Sequence, residues 1–304
     1  MKYETKQADG VSPQAGSNTA SGGKNRLGIP KTYKIYIDGK FPRTESGRYF
    51  EYEYKTGDGS ANLCNSSRKD FRDAITAARA AFAKWSGFTA YNRGQILYRI
   101  AEMLEGRRSQ FIDELTQQGS SRTEAETEVS ASIDRLVYYA GWSDKFQQVF
   151  SSVNPVSASY FNFSMLEPTG VVSILAPEES SLLGLVSVVA PILAGGNTCV
   201  VLASSSKPLC SVTFAEVLHS SDVPGGVVNL LTGFRKELLS HMTSHMDVNA
   251  VIYCGSEEEE IKTVQTNAAL NVKRTIILEK TDKQGPYLIL DTQEVKTTWH
   301  PVGI

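Results

Sequence analysis

The 304-residue sequence predicts an α/β fold in which a doubly wound parallel sheet follows a set of N-terminal helices. Two patterns predict this fold class. Apolar residues recur at helical spacing through the first half of the chain, whereas the second half alternates short, continuous apolar runs with single helical segments. Continuous apolar strands joined by helices are typical of a parallel sheet that is buried on both faces. A hydrophobic content of 41% is enough for a well-buried core.

The first half begins with a short hairpin and continues as helices. In KTYKIYIDGKF the apolar residues flank Asp38-Gly39, a dipeptide that favours a tight hairpin turn. A helix then covers residues 66–85, with Ser66 or Ser67 as its cap and Gly87 as its stop. The remaining predicted helices are a second one that opens at Thr89 or Asn92, a third over 109–118, and a fourth over 123–150 with Ile133, Val137, Ala140 and Trp142 as its inner stripe.

The second half predicts the sheet itself. Five apolar runs are interpreted as strands, over residues 171–176, 198–203, 227–232, 249–254 and 275–279. The helices between them are expected over 180–194, 208–219, 236–245 and 256–269. In such a sheet, ligands bind in the crevice at the carboxyl ends of the strands.

Two extended segments lie outside this pattern. SASYFNFSMLEP, residues 157–168, alternates and is aromatic, which predicts a ribbon that stands apart from the helical layer. DTQEVKTTWHPVGI, residues 291–304, is polar and alternating and predicts one more strand.

The composition excludes several classes of partner. A formal charge of −2, without a dense cluster of Lys and Arg, argues against nucleic acid or an anionic membrane as the main partner. No apolar run is long enough to predict a transmembrane helix. The four cysteines are scattered and are interpreted as reduced core residues, and the polar residues 1–30 as a disordered leader, so we expect a cytoplasmic protein.

Two short motifs are interpreted as structural, and a third is absent. No G-x-G-x-x-G sequence is present. Tyr36 and Lys40 have the spacing of a catalytic Tyr-Lys pair, but they straddle the predicted hairpin turn. His241 and His245 have the i, i+4 spacing of metal ligands but lack a third ligand nearby, so no metal site is predicted.

Five segments, taken together, resemble the cofactor-binding half of the aldehyde dehydrogenase superfamily. They are EPTGVVSILAPEESSL, APILAGGNTCVVLASSSKPL, SDVPGGVVNLLTGF, DVNAVIYCGS and NVKRTIILE, and they occur in the order and spacing of that family. The resemblance extends upstream through AARAAFAKWSG and YKIYIDGKF to about Lys31. It implies a Rossmann-like cofactor domain.

The resemblance also shows which functional positions differ. In active members the loop after the first sheet strand supplies an Asn that donates to the substrate oxyanion, and Glu179 stands in its place. A carboxylate cannot donate unless it is protonated, so we interpret Glu178 and Glu179 as a solvated loop that caps the following helix. Leu202 and Ser205 stand where the family has the Lys and Glu that hold the adenosine ribose.

The phosphate turn and the general base differ as well. Gly255 and Ser256 match the family's Gly-Ser-x-x-x-Gly turn, but Glu260 replaces the second Gly. We expect Ser256 to cap the next helix, with Glu259 completing a capping box. The base position falls on Leu278, or on Glu279 after a slip of one residue, and Lys-Thr-Asp replaces the Leu-Gly-Gly that follows it in the family. We therefore predict no catalytic residue, Glu279 being a remnant at most.

The end of the sequence also departs from the family. No cysteine follows Cys254, whereas the family's nucleophilic Cys lies a few dozen residues past the base. EVKTTWHP resembles the family's C-terminal strand, which pairs with the ribbon to form an oligomerisation arm. We thus expect a shortened, degenerate member that lacks the catalytic domain, divided into a leader (1–30), a cofactor-binding domain (31–290, with the arm ribbon 155–168 inserted) and an oligomerisation strand (291–304).

These features predict a non-catalytic structural or regulatory subunit. It would form homo- or hetero-oligomers through the arm, most readily with a full-length aldehyde dehydrogenase, and would need no cofactor. The alternative is a composite NAD(P)-dependent aldehyde oxidoreductase whose nucleophilic Cys lies on another chain. A third hypothesis is that the crevice binds a less anionic ligand.

Overall fold

The computed structural model describes residues 32–281 and 283–303, so the predicted leader lies outside the described residues. The strands are β1 (Thr32–Tyr33), β2 (Tyr49–Glu53), β3 (Ser60–Cys64), β4 (Ser152–Asn154), β5 (Tyr160–Pro168), β6 (Val171–Leu175), β7 (Thr198–Leu202), β8 (Val228–Leu231), β9 (Ala250–Cys254), β10 (Arg274–Leu278) and β11 (Gln293–Pro301). The helices are α1 (Arg68–Ser86), α2 (Ala90–Gly106), α3 (Arg108–Gln117), α4 (Arg122–Trp142), α5 (Phe146–Phe150), α6 (Leu183–Ala194), α7 (Leu209–His219), α8 (Arg235–Ser244), α9 (Glu258–Ala269) and α10 (Tyr287–Leu290).

The predicted parallel sheet is confirmed. Its order is β10-β9-β6-β7-β8, and every neighbouring pair is parallel. Helices α2, α3, α4, α6 and α7 contribute to the core on one face, while α1, α8 and α9 contribute to the core on the other. The chain winds outward from β6 through β7 to β8 and then returns to β9 on the other side of β6. The point where the strand order reverses therefore lies between β6 and β9.

The predicted hairpin closes the outer edge of this sheet. Tyr36 and Leu230 exchange two backbone hydrogen bonds of 2.8 Å, so the segment before the turn pairs with β8. The chain then turns at Asp38 (φ 54°) and Gly39 (φ 71°), as predicted. Two successive residues with positive φ are the geometry that a tight hairpin turn requires, and they favour glycine.

The first helices begin where the sequence predicts. Ser67 caps α1, because its side chain accepts from the Asp70 N–H while Asp70 Oδ2 accepts from the Ser67 N–H at 2.7 Å. Thr89 caps α2, because its Oγ1 atom accepts from the Asn92 N–H at 3.2 Å. A small sheet with the order β1-β3-β2, of which the sequence analysis missed β2 and β3, packs against α7.

Two predictions about the fourth helix are wrong. The helix predicted over 123–150 ends at Trp142, and α5 follows as a separate turn. Trp142, Phe146 and Phe150 keep a spacing of four, which hides the break. Val137 is 42% exposed, since the buried stripe of α4 lies on Val129, Ser132, Arg135, Leu136 and Tyr139. That stripe includes a serine and an arginine, so counting apolar residues alone misplaces it.

The two extended segments pair as expected. Strands β11, β5 and β4 form an antiparallel sheet, the β arm, with Gln293 opposite Pro168 and Pro301 opposite Tyr160. Across the described part of the chain, we find no helix with the length and hydropathy needed to cross a membrane.

Candidate functional site

The candidate site is the crevice at the carboxyl edge of the sheet, between β6 and β9, where the strand order reverses. Ligands of doubly wound sheets bind at such a switch point. Four loops meet here: those that follow β6, β7 and β8, and the turn between β9 and α9.

Arg235 spans the switch point. It is the first residue of α8, directly after the loop that leaves β8. Its Nη2 atom donates to the carbonyl oxygens of Ala176 and Cys254, the latter at 2.7 Å. Those carbonyls lie at the carboxyl ends of β6 and β9, and the Arg235 side chain is only 12% exposed. The guanidinium therefore binds the ends of the two strands between which a ligand would enter.

Two carboxylates and an aromatic ring surround this guanidinium. Arg235 Nε lies 3.4 Å from Glu178 Oε1, and Nη1 lies 3.5 Å from Glu260 Oε2. The Arg235 Cζ atom stands 5.2 Å from the centre of the Tyr253 ring, close enough for a cation–π contact. Tyr253 Oη in turn donates to Glu260 Oε2 at 2.7 Å. We name Glu178, Arg235, Tyr253 and Glu260 the crevice cluster.

The protonation of Tyr253 follows from its place in the cluster. Burial, followed by the hydrogen bond to Glu260 and its charge, raises the pKa of Tyr253 to about 12. The phenol therefore remains a hydrogen-bond donor at neutral pH, and the Glu260 carboxylate is its acceptor.

Glu178 also binds the donors of the neighbouring loop. Its Oε2 atom accepts from the backbone N–H groups of Ser205 (2.8 Å) and Ser206 (3.0 Å) and from Ser204 Oγ (3.0 Å). Consecutive N–H groups that point into a crevice can bind an anionic ligand. Here they bind a carboxylate of the same chain.

The turn before α9 does not form the predicted cap. The helix begins at Glu258, its N-cap residue is Glu257, and no side chain forms a cap hydrogen bond. Ser256 is exposed. The expected capping box of Ser256 and Glu259 is therefore wrong, because the N-cap residue is Glu257, one position after the predicted cap. Glu258, Glu259 and Glu260 do occupy the first turn, where carboxylates stabilise a helix N-terminus.

The crevice cluster accounts for the glycine at this turn. A Cβ atom on Gly255 would lie 2.8 Å from Tyr253 Oη and 3.1 Å from Arg235 Nη1. The Gly255 N–H donates to the Leu278 carbonyl at 3.0 Å, which ties the turn to β10. A larger residue at 255 would therefore displace the cluster.

The other predicted positions lie apart from the cluster. Glu179 is exposed, and its carbonyl accepts from Lys207 Nζ at 2.7 Å. Leu202 is buried in the core. Leu278 is the last residue of β10 and packs against the core that includes α4 and α6, whereas Glu279 is exposed just beyond the strand.

The expectation that the Glu178–Glu179 loop caps the next helix is wrong. Glu128 of α4 performs this role, because its Oε1 atom accepts from the N–H groups of Leu182 (3.0 Å) and Leu183 (3.1 Å) at the start of α6. The same oxygen accepts from Ser180 Oγ at 3.0 Å. Since Glu128 lies more than fifty residues before the helix that it caps, local sequence gives no signal of the contact.

No thiol of the described residues suits nucleophilic catalysis. All four cysteines are buried. Burial raises the pKa of Cys254 to about 12, and it also raises the pKa values of Cys64, Cys199 and Cys210. A thiol attacks as the thiolate, so these side chains are protonated and inert at neutral pH. The described residues also contain no group of three or more His, Cys, Asp or Glu side chains suited to a metal ion.

Sequence reasoning missed Arg235, Tyr253 and Glu128. The available signal for Arg235 was its position directly after the loop that leaves a buried strand, at the edge where ligands bind. The signal for Tyr253 was weaker: a residue with a polar hydroxyl group inside an otherwise apolar strand.

The parallel sheet, its order and its switch-point crevice define a Rossmann-like α/β protein, the class that includes NAD-binding oxidoreductases. The aldehyde dehydrogenase family model matches residues 43–296, and the chain belongs to this family. Retinal dehydrogenase 2 of Gallus gallus is 30% identical over 267 residues, which cover 86% of this chain and 51% of that protein. An aldehyde dehydrogenase of Aspergillus niger is 28% identical over 276 residues, covering 89% and 54%.

A solved structure gives the same result. The NAD+ complex of an aldehyde dehydrogenase from Bacillus cereus superposes with a TM-score of 0.77 at 27% identity, covering 81% of this chain and 50% of that one. This chain therefore spans about half the length of the relatives that it matches.

Proposed function

We propose that this chain is a non-catalytic aldehyde dehydrogenase-like protein, a structural or regulatory subunit that assembles with a catalytic aldehyde dehydrogenase through the β arm. The observation that carries the proposal is the crevice cluster, in which Arg235 binds the carbonyl ends of β6 and β9 and faces Glu178 and Glu260. The subunit would act in the cytoplasm and would need no cofactor.

The chemistry of the crevice does not fit a dinucleotide. A pyrophosphate requires N–H donors and cations, but the N–H groups of Ser205 and Ser206 already bind Glu178. A dinucleotide would also have to displace Arg235 and would then face the carboxylates of Glu178 and Glu260. Two like charges about 4 Å apart repel by about 4 kcal/mol at an effective dielectric constant of about 20, and partial exposure reduces this figure.

The catalytic groups give further support. The cysteines of this chain are buried and protonated, and Glu179, at the position of the oxyanion donor, is an acceptor. Glu279 is exposed and lies just after the last residue of β10. An aldehyde would therefore meet neither a nucleophile nor an oxyanion donor from these residues.

The β arm supplies the surface for assembly. Side chains alternate between the two faces of a sheet, so Phe161, Phe163 and Met165 of β5 share one face with Val153 of β4, which lies opposite Phe163. Phe161 is 46% exposed, Met165 43% and Val153 68%. Exposed apolar clusters of this kind mark protein interaction sites. We name these four residues the docking face and assign it to the catalytic partner.

The experiment tests partner and cofactor separately. Purified chain would be mixed with full-length aldehyde dehydrogenase from the same source, and the complex measured by light scattering after size exclusion. We expect a stable complex and no dehydrogenase activity from this chain alone. If no such enzyme binds while the chain remains a folded monomer, the assembly role is wrong.

A cofactor titration tests the composite-enzyme alternative. The preserved Gly255-Ser256 turn and the NAD+-bound relative favour that alternative. Ligand at about one hundred times its Kd would raise the free energy of unfolding by about 2.7 kcal/mol, which a thermal shift detects readily. We expect no shift with millimolar NAD+ or NADP+, whereas the catalytic relative serves as the positive control. A clear shift would establish the alternative.

A further inference from the structure

A cavity lies at the amino edge of the five-stranded sheet, at the opposite ends of the strands from the crevice cluster. Its volume is about 490 Å³. Its walls come from the residues just before β6, β9 and β10, and from the first residues of β10 and β11. Because neighbouring strands of this sheet are parallel, their amino ends meet at this one edge. We name it the amino-edge cavity.

The walls of the amino-edge cavity are polar and are held in place by hydrogen bonds. Asn249 Oδ1 accepts from Arg79 Nη2 at 2.6 Å and from the Val171 N–H at 3.0 Å. Arg274 Nη2 lies 3.2 Å from Glu294 Oε1. These groups are bound to one another and to the backbone, so the cavity is formed before any ligand enters it.

Lys273 lines the same cavity but lacks a charged partner. It is only 8% exposed, its Nζ atom donates to Asn271 Oδ1, and no carboxylate of the described residues forms an ion pair with it. Burial lowers the pKa of Lys273 to about 8. At pH 7 about a tenth of its side chains are therefore neutral amines, against less than about a thousandth for an ordinary lysine.

The other titratable groups beside Lys273 leave it as the nucleophile of the cavity. Burial lowers the pKa of His245, at the end of α8, and the charge of Lys273 adds to this shift while Asp247 opposes it. Arg274 remains charged and bound to Glu294. Among the described residues that line the cavity, Lys273 thus combines burial with an amine that can lose its proton near neutral pH.

The backbone next to Lys273 is strained. Val272 has a φ of 54°, a left-handed conformation that a β-branched residue rarely adopts. It follows α9 in a turn where the Lys273 N–H donates to the Ala268 carbonyl at 3.0 Å, and glycine is the usual residue at such a position. The Val272 side chain is 93% exposed, so its packing does not explain the conformation. Strain of this kind is concentrated at functional sites.

We propose that the amino-edge cavity binds a small polar aldehyde, which Lys273 holds as an imine. The lone pair of the neutral Nζ attacks the carbonyl carbon, a proton moves from nitrogen to oxygen, and water leaves as the C=N bond forms. No oxidant, reductant or further reactant is needed. Asn271 Oδ1 accepts one N–H of the amine and leaves the lone pair free, so Asn271 is a positioning residue. The inference does not depend on assembly through the β arm.

Reductive trapping on the whole chain tests the inference, with glyoxylate as the aldehyde. Cyanoborohydride reduces an imine to a stable amine, and peptide mass spectrometry then measures carboxymethylation at each lysine. The matched control within the same molecule is Lys262, which is exposed on α9. At pH 7 we expect Lys273 to be labelled about tenfold faster than Lys262, because more of its amine is neutral. Its rate should saturate as glyoxylate increases, and its pH midpoint should lie near 8.

A conservative variant tests the role of Asn271. Asn271→Asp places a carboxylate beside the amine at the same size, so we expect the pH midpoint of Lys273 labelling to rise and its rate at pH 7 to fall, with unchanged thermal unfolding. Labelling of Lys273 no faster than that of Lys262 overturns the inference. A rate that stays linear in glyoxylate also overturns it, since it would show a reactive amine without a binding site. An unchanged midpoint in Asn271→Asp contradicts the positioning role.

Discussion

The crevice at the carboxyl edge of the sheet and the β arm differ in how far their side chains are bound within the chain. In the crevice, Arg235, Glu178 and Glu260 bind one another and nearby backbone groups, and the Arg235 side chain is only 12% exposed. In the arm, Phe161, Met165, Val295 and Trp299 are each more than 40% exposed. The polar groups of the usual ligand site are satisfied within the chain, while the apolar groups of the arm have surface still to bury.

This difference indicates where free energy of binding is available. A ligand in the crevice gains little, because it must first break contacts that the folded chain already makes. A protein that covers the arm buries exposed apolar area at no such cost, at about 25 cal/mol per Å². The chain retains the family fold, and the surface that we propose for interaction lies in the arm.

The largest expected effect comes from removing Arg235. Arg235→Ala leaves two carboxylates and two strand-end carbonyls without their cation. We expect the free energy of unfolding to fall by about 3 kcal/mol, the low end for a broken buried ion pair, because Glu178 and Glu260 are 30% and 27% exposed. Urea denaturation measures the change.

The control for that measurement is Arg99→Ala, whose exposed pair with Glu102 should contribute less than about 0.5 kcal/mol. A loss below about 1 kcal/mol in Arg235→Ala would mean that the crevice cluster is not a stabilising element, and the contrast with the arm would disappear.

The second prediction addresses the arm. Phe161→Glu places a charge on the docking face, and we expect affinity for the catalytic partner to fall about thirtyfold, or about 2 kcal/mol, with unchanged stability of the free chain. Titration calorimetry measures the affinity. Tyr91→Glu, at a 64% exposed position on α2, is the matched control and should bind normally. Equal loss in both variants would contradict the docking face.

The third prediction tests the long-range cap beside the crevice. Glu128→Ala leaves the first N–H groups of α6 without their acceptor, so we expect a loss of about 1.5 kcal/mol in the free energy of unfolding. Glu126→Ala changes an exposed i, i+4 pair with Arg122 and should cost less than about 0.5 kcal/mol. The two variants would be compared by urea denaturation. Equal free energies of unfolding would contradict the role of Glu128 as the cap of α6.

The smallest effect concerns Tyr253. Tyr253→Phe removes the hydrogen bond to Glu260, and we expect a loss of about 1 kcal/mol at neutral pH. The pKa of Tyr253 rises from 10.0 to about 12 on folding, so its contribution is complete below pH 10 and is lost as the pH rises toward 12. The gap between wild type and variant should therefore narrow across that range. A gap that widens there would contradict this assignment, and Tyr98→Phe, half exposed on α2, is the control.

The sequence predicted the sheet well because its strands are apolar throughout. Runs such as VVSILA have a pattern that depends on burial alone, and every residue of β6, β7 and β9 is indeed buried. Helix α1 was found at its correct start because Ser67 and Asp70 form a local capping box. These signals lie within a few residues of the element that they specify.

The candidate site was harder because its contacts are long-range. Arg235 lies 59 residues from Ala176 in sequence, and Glu128 lies 54 from Leu182, so neither pairing leaves a local pattern. The Ser256 cap failed for a related reason. The Gly-Ser sequence is compatible with a cap at Ser256, but Gly255 bonds to β10 and the N-cap residue is Glu257, one position later.

The pairing of β5 with β11 has a consequence for the order of folding. Residues 160 and 301 lie opposite each other, and the whole five-stranded sheet lies between them in the chain. Closing so long a loop is entropically unfavourable until the intervening elements are compact, so we expect the arm to be completed last. A chain that has not finished its sheet would then lack a completed β arm. Only subunits whose sheet has folded would thus be able to assemble through the arm.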